Sequence, residues 1–265
     1  VSRLARVGAV LVGIGFLWLV VLLILGAVLS GRYARKTEER IGTSLQATAK
    51  IAGTDLALIR GRLTLDNLSV RRDDLVGHLA IDVTNVRCEL PPMGWSLFDR
   101  DCGELAVKGV RVEVSSVTLF KLQKPKGVKP IQADRVIIDD AQFVFLPSAF
   151  APNMGRIEIA IEHAVAGRTS MRTPLSWLFA LEELRASFAL PANITVHLDY
   201  RMGILTVAGS IFGSQPIALP VQIPAADAAH DAHEEMRMLL QVGKDIAERV
   251  VAQRASDWLR SKLAR

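Results

Sequence analysis

The 265 residues contain no nucleophile elbow, no glycine-rich phosphate loop, no dinucleotide fingerprint and no paired-cysteine zinc pattern. Each of those motifs holds a reactive or phosphate-binding group at a fixed spacing, so without them no constellation for covalent chemistry emerges. The expectation is a protein that is not an enzyme and that needs no cofactor or metal. Basic charge is scarce where a nucleic-acid protein would need it. Of the net +5, residues 1–40 carry +4, from six basic and two acidic side chains. The remainder is close to neutral, whereas a nucleic-acid-binding domain concentrates Lys and Arg on its folded part. Cysteine is limited to Cys88 and Cys102, on either side of Pro91-Pro92-Met93-Gly94-Trp95. If the flanking segments pair as a hairpin, the thiols can face each other, and a disulfide closing a loop of about 15 residues is worth roughly 3 kcal/mol. Two separate buried thiols are the alternative.

Charge is absent altogether from Val7 through Leu29, a run of 23 residues bracketed by Arg3, Arg6, Arg32, Arg35 and Lys36. At 1.5 Å per residue such a helix reaches roughly 35 Å, enough to cross a bilayer core of about 30 Å. A cleaved signal peptide also has a basic start and an apolar stretch, but its apolar region is usually about 7–15 residues and ends in a small-x-small site. The run reads as an uncleaved anchor. The chain then divides into an anchor with basic flanks (1–32), a juxtamembrane helix (33–44), a β domain (45–224) and a C-terminal amphipathic helix (225–265). Lys and Arg on the two sides of the span slightly favour keeping the β domain in the cytoplasm.

What fills residues 60–190 is one recurring pattern: apolar, any, apolar, two others, apolar, any, apolar. It appears as Leu63-Thr-Leu65-Asp-Asn-Leu68-Ser-Val70, and again as Ile81-Asp-Val83-Thr-Asn-Val86-Arg-Cys88. Leu105-Ala-Val107-Lys-Gly-Val110-Arg-Val112 repeats it, as do Val136-Ile-Ile138-Asp-Asp-Ala141-Gln-Phe143-Val-Phe145 and Phe179-Ala-Leu181-Glu-Glu-Leu184-Arg-Ala186-Ser-Phe188. Period two marks a strand with one apolar face. The two-residue interruption would turn the second half to the wrong face unless the chain bulges there. Asp66-Asn67, Thr84-Asn85 and Lys108-Gly109 tolerate the backbone a bulge requires. Further strands are expected at 45–59, 157–165 (with Ile157 and Ile159 inward), 194–200, 205–212 and 217–223. Turns at Arg60-Gly61 and Met202-Gly203 suit antiparallel meanders, giving about ten strands. A short apolar helix is expected near 174–180. It would cap the sheet or dip into a membrane interface.

Pro216, Pro220 and Pro224 close the β region, and no proline follows. Met236, Leu239, Leu240, Gly243, Ile246, Ala247, Val250, Val251 and Trp258 recur at helical spacing, which marks an amphipathic helix available for a partner or for self-association. Its acids cluster at the start and its bases at the end, as the helix dipole favours.

Other candidates have plainer readings. His230, His233 and Glu234 share a helix face but lack further metal ligands, so a solvated helix start is preferred. Asp73-Asp74 and Asp139-Asp140 resemble carboxylate pairs, yet adjacent strand residues point to opposite faces. Asn67-Leu-Ser69 and Asn193-Ile-Thr195 match a glycosylation acceptor, a motif short enough to recur by chance. The basic stretch from Lys121 to Lys129 reads as a solvated hairpin loop, with anionic headgroups or a partner as the alternative.

The inward set is rich in Val, Leu, Ile and Ala. Such a face can close as an ordinary core or stay open as a trough for something apolar. The opening of the chain, with Ile41-Gly42-Thr43-Ser44-Leu45 and Gly61-Arg-Leu63-Thr-Leu65-Asp-Asn67-Leu68-Ser-Val70, resembles AsmA-like and TamB-like bacterial envelope proteins. The resemblance covers residues 1–115 well and 130–223 loosely. It implies an inner-membrane anchor, a periplasmic β-groove bent like a taco, and shielding of lipid tails in transit between two membranes. Under it, the groove lining is Leu63, Leu65, Leu68 and Val70; Ile81, Val83 and Val86; Leu105, Val107, Val110 and Val112. It continues with Val136, Ile138, Phe143 and Phe145, then Ile157, Ile159 and Phe188. The expected role is lipid transport or outer-membrane biogenesis with protein partners. A structural subunit with a closed β core and no lipid is the alternative.

Overall fold

The computed structural model describes residues 29–43, 45–57, 61–74, 77–89, 101–115, 131–147, 155–171, 176–190, 194–209, 216–224 and 232–263. The proposed membrane anchor lies outside this set except for Leu29. Among the described residues, no helix is long and apolar enough to cross a membrane.

The chain is mainly β. Helix α1 covers residues 29–43. There follow β1 (Thr48–Ala57), β2 (Arg62–Asp74), β3 (Gly77–Glu89), β4 (Asp101–Ser115), β5 (Ile131–Leu146), β6 (Ile157–Ala166) and the short β7 (Thr169–Met171). A 3-10 helix (Ser176–Ala180) leads into β8 (Leu181–Leu190), β9 (Ile194–Arg201), β10 (Ile204–Gly209) and β11 (Ile217–Pro220), and α2 (Ala232–Leu263) ends the order. One sheet contains all eleven strands in the order β1-β2-β3-β4-β5-β6-β8-β9-β10-β11, with β7 paired to the free stretch at the start of β5. Ten strands at about 4.8 Å spacing extend roughly 43 Å across. The edge strands β1 and β11 do not pair, so the sheet is not closed.

One junction departs from the expected antiparallel meander. β4 and β5 are parallel, from Asp101↔Gln132 to Ser115↔Leu146. The stretch from Lys121 to Lys129, read as a hairpin loop, lies outside the described residues, and a hairpin cannot join two parallel neighbours. Parallel neighbours need a crossover of a dozen or more residues. The physical reason that the sequence misled is symmetry. The apolar pattern reads the same forwards and backwards, so Leu105/Val136, Val107/Ile138, Val110/Ala141 and Val112/Phe143 match in parallel as well as they would in reverse.

The mid-strand interruption is a crease shared by neighbouring strands. Pairing jumps from Asp66↔Asn85 to Leu68↔Val83, from Asn85↔Lys108 to Val83↔Val110, and from Lys108↔Asp139 to Val110↔Ala141. The residues passed over are Asn67, Thr84, Gly109 and Asp140, and Glu162 continues the row on β6. Asn67, Gly109 and Asp140 have φ of 51°, 65° and 55°. Because each neighbour inserts a residue at the same point, register is kept, and the left-handed residue returns the next apolar side chain to the original face. Gly109 is required twice over. Its φ is positive, and a Cβ there would lie 2.8 Å from the Cβ of Thr84. On β8 the row ends: Leu184, Arg185 and Ala186 pair regularly with β9, and the mismatch is absorbed by a register shift at Glu162.

Candidate functional site

Residues opposite one another across the ladders share a face, so the registers stack the repeated pattern into apolar rows. One row runs Leu65, Val86, Val107, Ile138, Ala164, Leu184, Tyr200, Leu205 and Leu219. Its neighbour across the crease runs Leu68, Val83, Val110, Ala141, Ile161, Ala186, Leu198, Val207 and Ile217. A third joins Val70, Ile81, Val112, Phe143, Ile159, Phe188 and Val196. Leu63, Cys88, Leu105 and Val136 make a row toward one end of the strands, and Leu79, Val114, Phe145 and Ile157 make one toward the other. All the lining residues read from the sequence thus fall on one face of one sheet.

Burial along this inner face is uneven. Val70, Val83, Leu105 and Val136 are buried. The other proposed lining residues, among them Leu65, Val86, Val107, Val110, Ile138, Phe143 and Ile159, are only half-buried. In a closed β core such central positions would be fully covered on that side, as interiors pack to crystal-like density. The lining is therefore an apolar surface across the middle strands that the described chain leaves partly accessible.

Two elements close parts of it. The 3-10 helix sets Trp177, 6% exposed, into the cluster formed by Cys88, Cys102, Leu105, Ala133, Val136 and Ala166. The backbone bond from Gly167 N–H to the Ala180 carbonyl (2.8 Å) holds it beside β6. Trp177 thus caps the sheet within the protein interior. At the far end α2 packs Val242, Ile246 and Val250 against Tyr200, Leu205, Val207, Ile217 and Leu219. This corrects the helix face read from the sequence. Leu240 and Val251 are 68% and 67% exposed, and Gly243 faces open space. Val242, missed in the sequence pattern, is part of the seam instead. Burial under this helix raises the pKa of the Tyr200 phenol above its ordinary value of 10.0.

Cys88 and Cys102 form a disulfide with a Cα–Cα distance of 5.4 Å. It lies within the apolar cluster at the base of the β3–β4 connection.

The opposite face carries paired charges beside the buried Val144 and Val165. Arg71 binds both carboxylate oxygens of Asp82 at 2.7 Å, Arg87 reaches Glu104 at 3.0 Å and Arg111 reaches Glu113 at 2.9 Å. His78 meets Asp73 at 2.7 Å and His163 meets Asp139 at 2.6 Å. Asp139 and Asp140 are not a working carboxylate pair: the first is engaged by His163, and the second is the exposed crease residue. Asn67 of one acceptor motif is likewise a crease residue. Glu234 lies 3.9 Å from Arg237 in a salt bridge, and His230, the His233 side chain and Asn193 are outside the described residues. Among the described residues, no group of His, Cys, Asp and Glu is placed to hold a metal ion.

Sequence reasoning also left Ile51, Leu56, Leu198, Tyr200, Leu205, Val207, Ile217 and Leu219 out of the lining, although their alternation was visible in it. The registers put them on the same face. Comparison with protein-family models and with curated proteins finds no match to this chain.

Proposed function

We propose that the protein is a membrane-anchored bacterial envelope factor whose open sheet shields lipid acyl chains on its inner face. In this reading it contributes to lipid movement or outer-membrane biogenesis alongside protein partners, without covalent chemistry. The observation that carries the reading is the half-buried apolar surface of Leu65, Val86, Val107, Val110 and Ile138 on β2–β5, aligned in unbroken rows on a sheet whose edge strands do not pair with each other. Aliphatic rows without hydrogen-bonding groups select for hydrocarbon and discriminate little between headgroups. The Cys88–Cys102 disulfide suits an oxidising compartment such as the periplasm. The charge-free run from Val7 through Leu29 supplies the tether, and the resemblance to AsmA-like and TamB-like proteins points the same way.

The test is lipid extraction from the purified full chain followed by mass spectrometry, with a diazirine-bearing fatty acid as a photolabel. Copurified lipid, and labelling centred on Val107 and Ile138, are the expected results. A lipid-free protein that takes up no label leaves only a scaffold role.

A further inference from the structure

Helix α2 rests on the rows that a bound acyl chain would use. The row from Leu65 through Ile138 to Leu184 continues into Tyr200, Leu205 and Leu219 without a break in face. Leu181 and Leu184 pack against both the cluster around Trp177 and the helix-covered one, so the two surfaces are contiguous at β8. On one side of that strand the face is covered by residues of α2, on the other it is not.

We propose that α2 is a displaceable lid, an internal stand-in for hydrocarbon that must lift before cargo can occupy β9–β11. This rests on the acyl-shielding reading above. Among the described side chains of α2, Val242, Ile246 and Val250 pack against the sheet cluster. Two polar contacts are among those that attach it. Glu235, 3% exposed, accepts from the hydroxyl of Ser176, 1% exposed, at 3.1 and 3.2 Å to its two oxygens. Nearer the other end, Arg249 Nη1 donates to the Pro220 carbonyl at 3.0 Å. Between and beyond these points the helix presents Leu240, Lys244, Glu248 and Val251 outward. A helix that contributes no strand to the sheet, and whose side chains from Arg237 to Ala255 are mostly exposed, belongs to the low-stability end of a structure and can open without unfolding the rest.

A ligand can raise the open population only by binding the open state better than the closed one. An acyl chain does so because it replaces Val242, Ile246 and Val250 on the same surface. The Ser176–Glu235 contact contributes to the threshold, since opening takes a partner from two buried polar groups.

Hydrogen exchange of the full chain tests the lid, comparing wild type with Ser176→Ala and Glu235→Ala. Amides of α2 are expected to exchange faster than those of β3–β6 in wild type. Each substitution is expected to raise α2 exchange by about tenfold with the sheet unchanged. Exchange of α2 only together with β3–β6 overturns the lid. The fatty-acid photolabel then locates cargo: labelling at Val207 and Leu219 should rise severalfold in Ser176→Ala over wild type. Labelling at Val107 and Ile138 that never reaches Val207 or Leu219, with α2 shown to be open, also overturns it. No label at any position sinks the acyl-shielding reading and the cargo part of this proposal together; exchange alone then reports whether α2 opens.

Discussion

The creased strands β2–β6 and the regular strands β9–β11 share one sheet and one apolar face, yet that face ends differently in each. In the first region Asn67, Gly109 and Asp140 bend the strands at mid-length, and Leu65, Val86, Val107, Val110 and Ile138 stay half-buried. In the second, β9–β11 alternate without interruption, and α2 covers Tyr200, Leu205, Val207, Ile217 and Leu219. A regular, unbent apolar face is a surface onto which a straight helix can lie. A creased one departs from that shape, because each bulge increases the local bend and twist of its strand. The same alternating pattern therefore makes a covered core in one place and an accessible surface in the other.

The largest effect expected from breaking this comparison is at the packed end of the creased region. Val136→Asp puts a carboxylate where a 1% exposed valine meets Leu105 and Trp177. The cost should be about 3–5 kcal/mol in urea unfolding. A variant as stable as wild type would mean that this end is not packed. Removing the disulfide by Cys88→Ser with Cys102→Ser should cost about 3 kcal/mol. Amide exchange should show the loosening at β3 and β4 and leave β9–β11 unchanged.

A smaller effect probes the crease itself. Gly109→Ala forces a Cβ onto a positive-φ backbone and against Thr84, and should cost about 2 kcal/mol in thermal or urea unfolding. Asn67→Gly, at φ 51°, should stay within about 0.5 kcal/mol of wild type because glycine accepts that conformation. Equal costs at both positions would remove the left-handed residue as the cause of the crease. On the polar face, Arg87→Ala breaks a half-exposed pair with Glu104 and should cost less than about 1 kcal/mol.

Tyr200 gives a pH-dependent difference confined to the helix-covered region. Burial raises its folded pKa, so above pH 10.0 the unfolded chain releases the phenolic proton while the folded chain retains it. Its contribution to stability should be flat below that pH and should fall as pH rises past it. Tyr200→Phe should flatten the alkaline limb of a urea-midpoint series; an unchanged limb would show that the residue is not buried under α2.

Much of the fold could be read from residue order because period-two alternation is a local property. The strands carrying Leu63–Val70, Ile81–Cys88 and Leu105–Val112 were legible in this way, as was the bend at Asp66-Asn67 and Lys108-Gly109, where the spacing of three demands a correction. The 3-10 helix was foreshadowed by Ser176-Trp177-Leu178-Phe179. The brief β7 was not, since three residues of Thr-Ser-Met carry no period. The face of α2 was misread for a related reason. Its apolar residues form two stripes, and only contact with β9–β11 selects Val242, Ile246 and Val250 over Leu240 and Val251.

Residue order alone determined that one face of every major strand is aliphatic, that the strands kink at a common point, and that a proline-free helix follows. Those follow from side-chain alternation, from residues that tolerate positive φ and from helix propensity, all of which act over a few neighbours. Tertiary structure decided the parallel meeting of β4 with β5, the pairing of Cys88 with Cys102, and which stretch of the face α2 would cover. These depend on which distant segments meet. A mirror-symmetric apolar pattern is equally content with either strand direction, so only the packed sheet could choose.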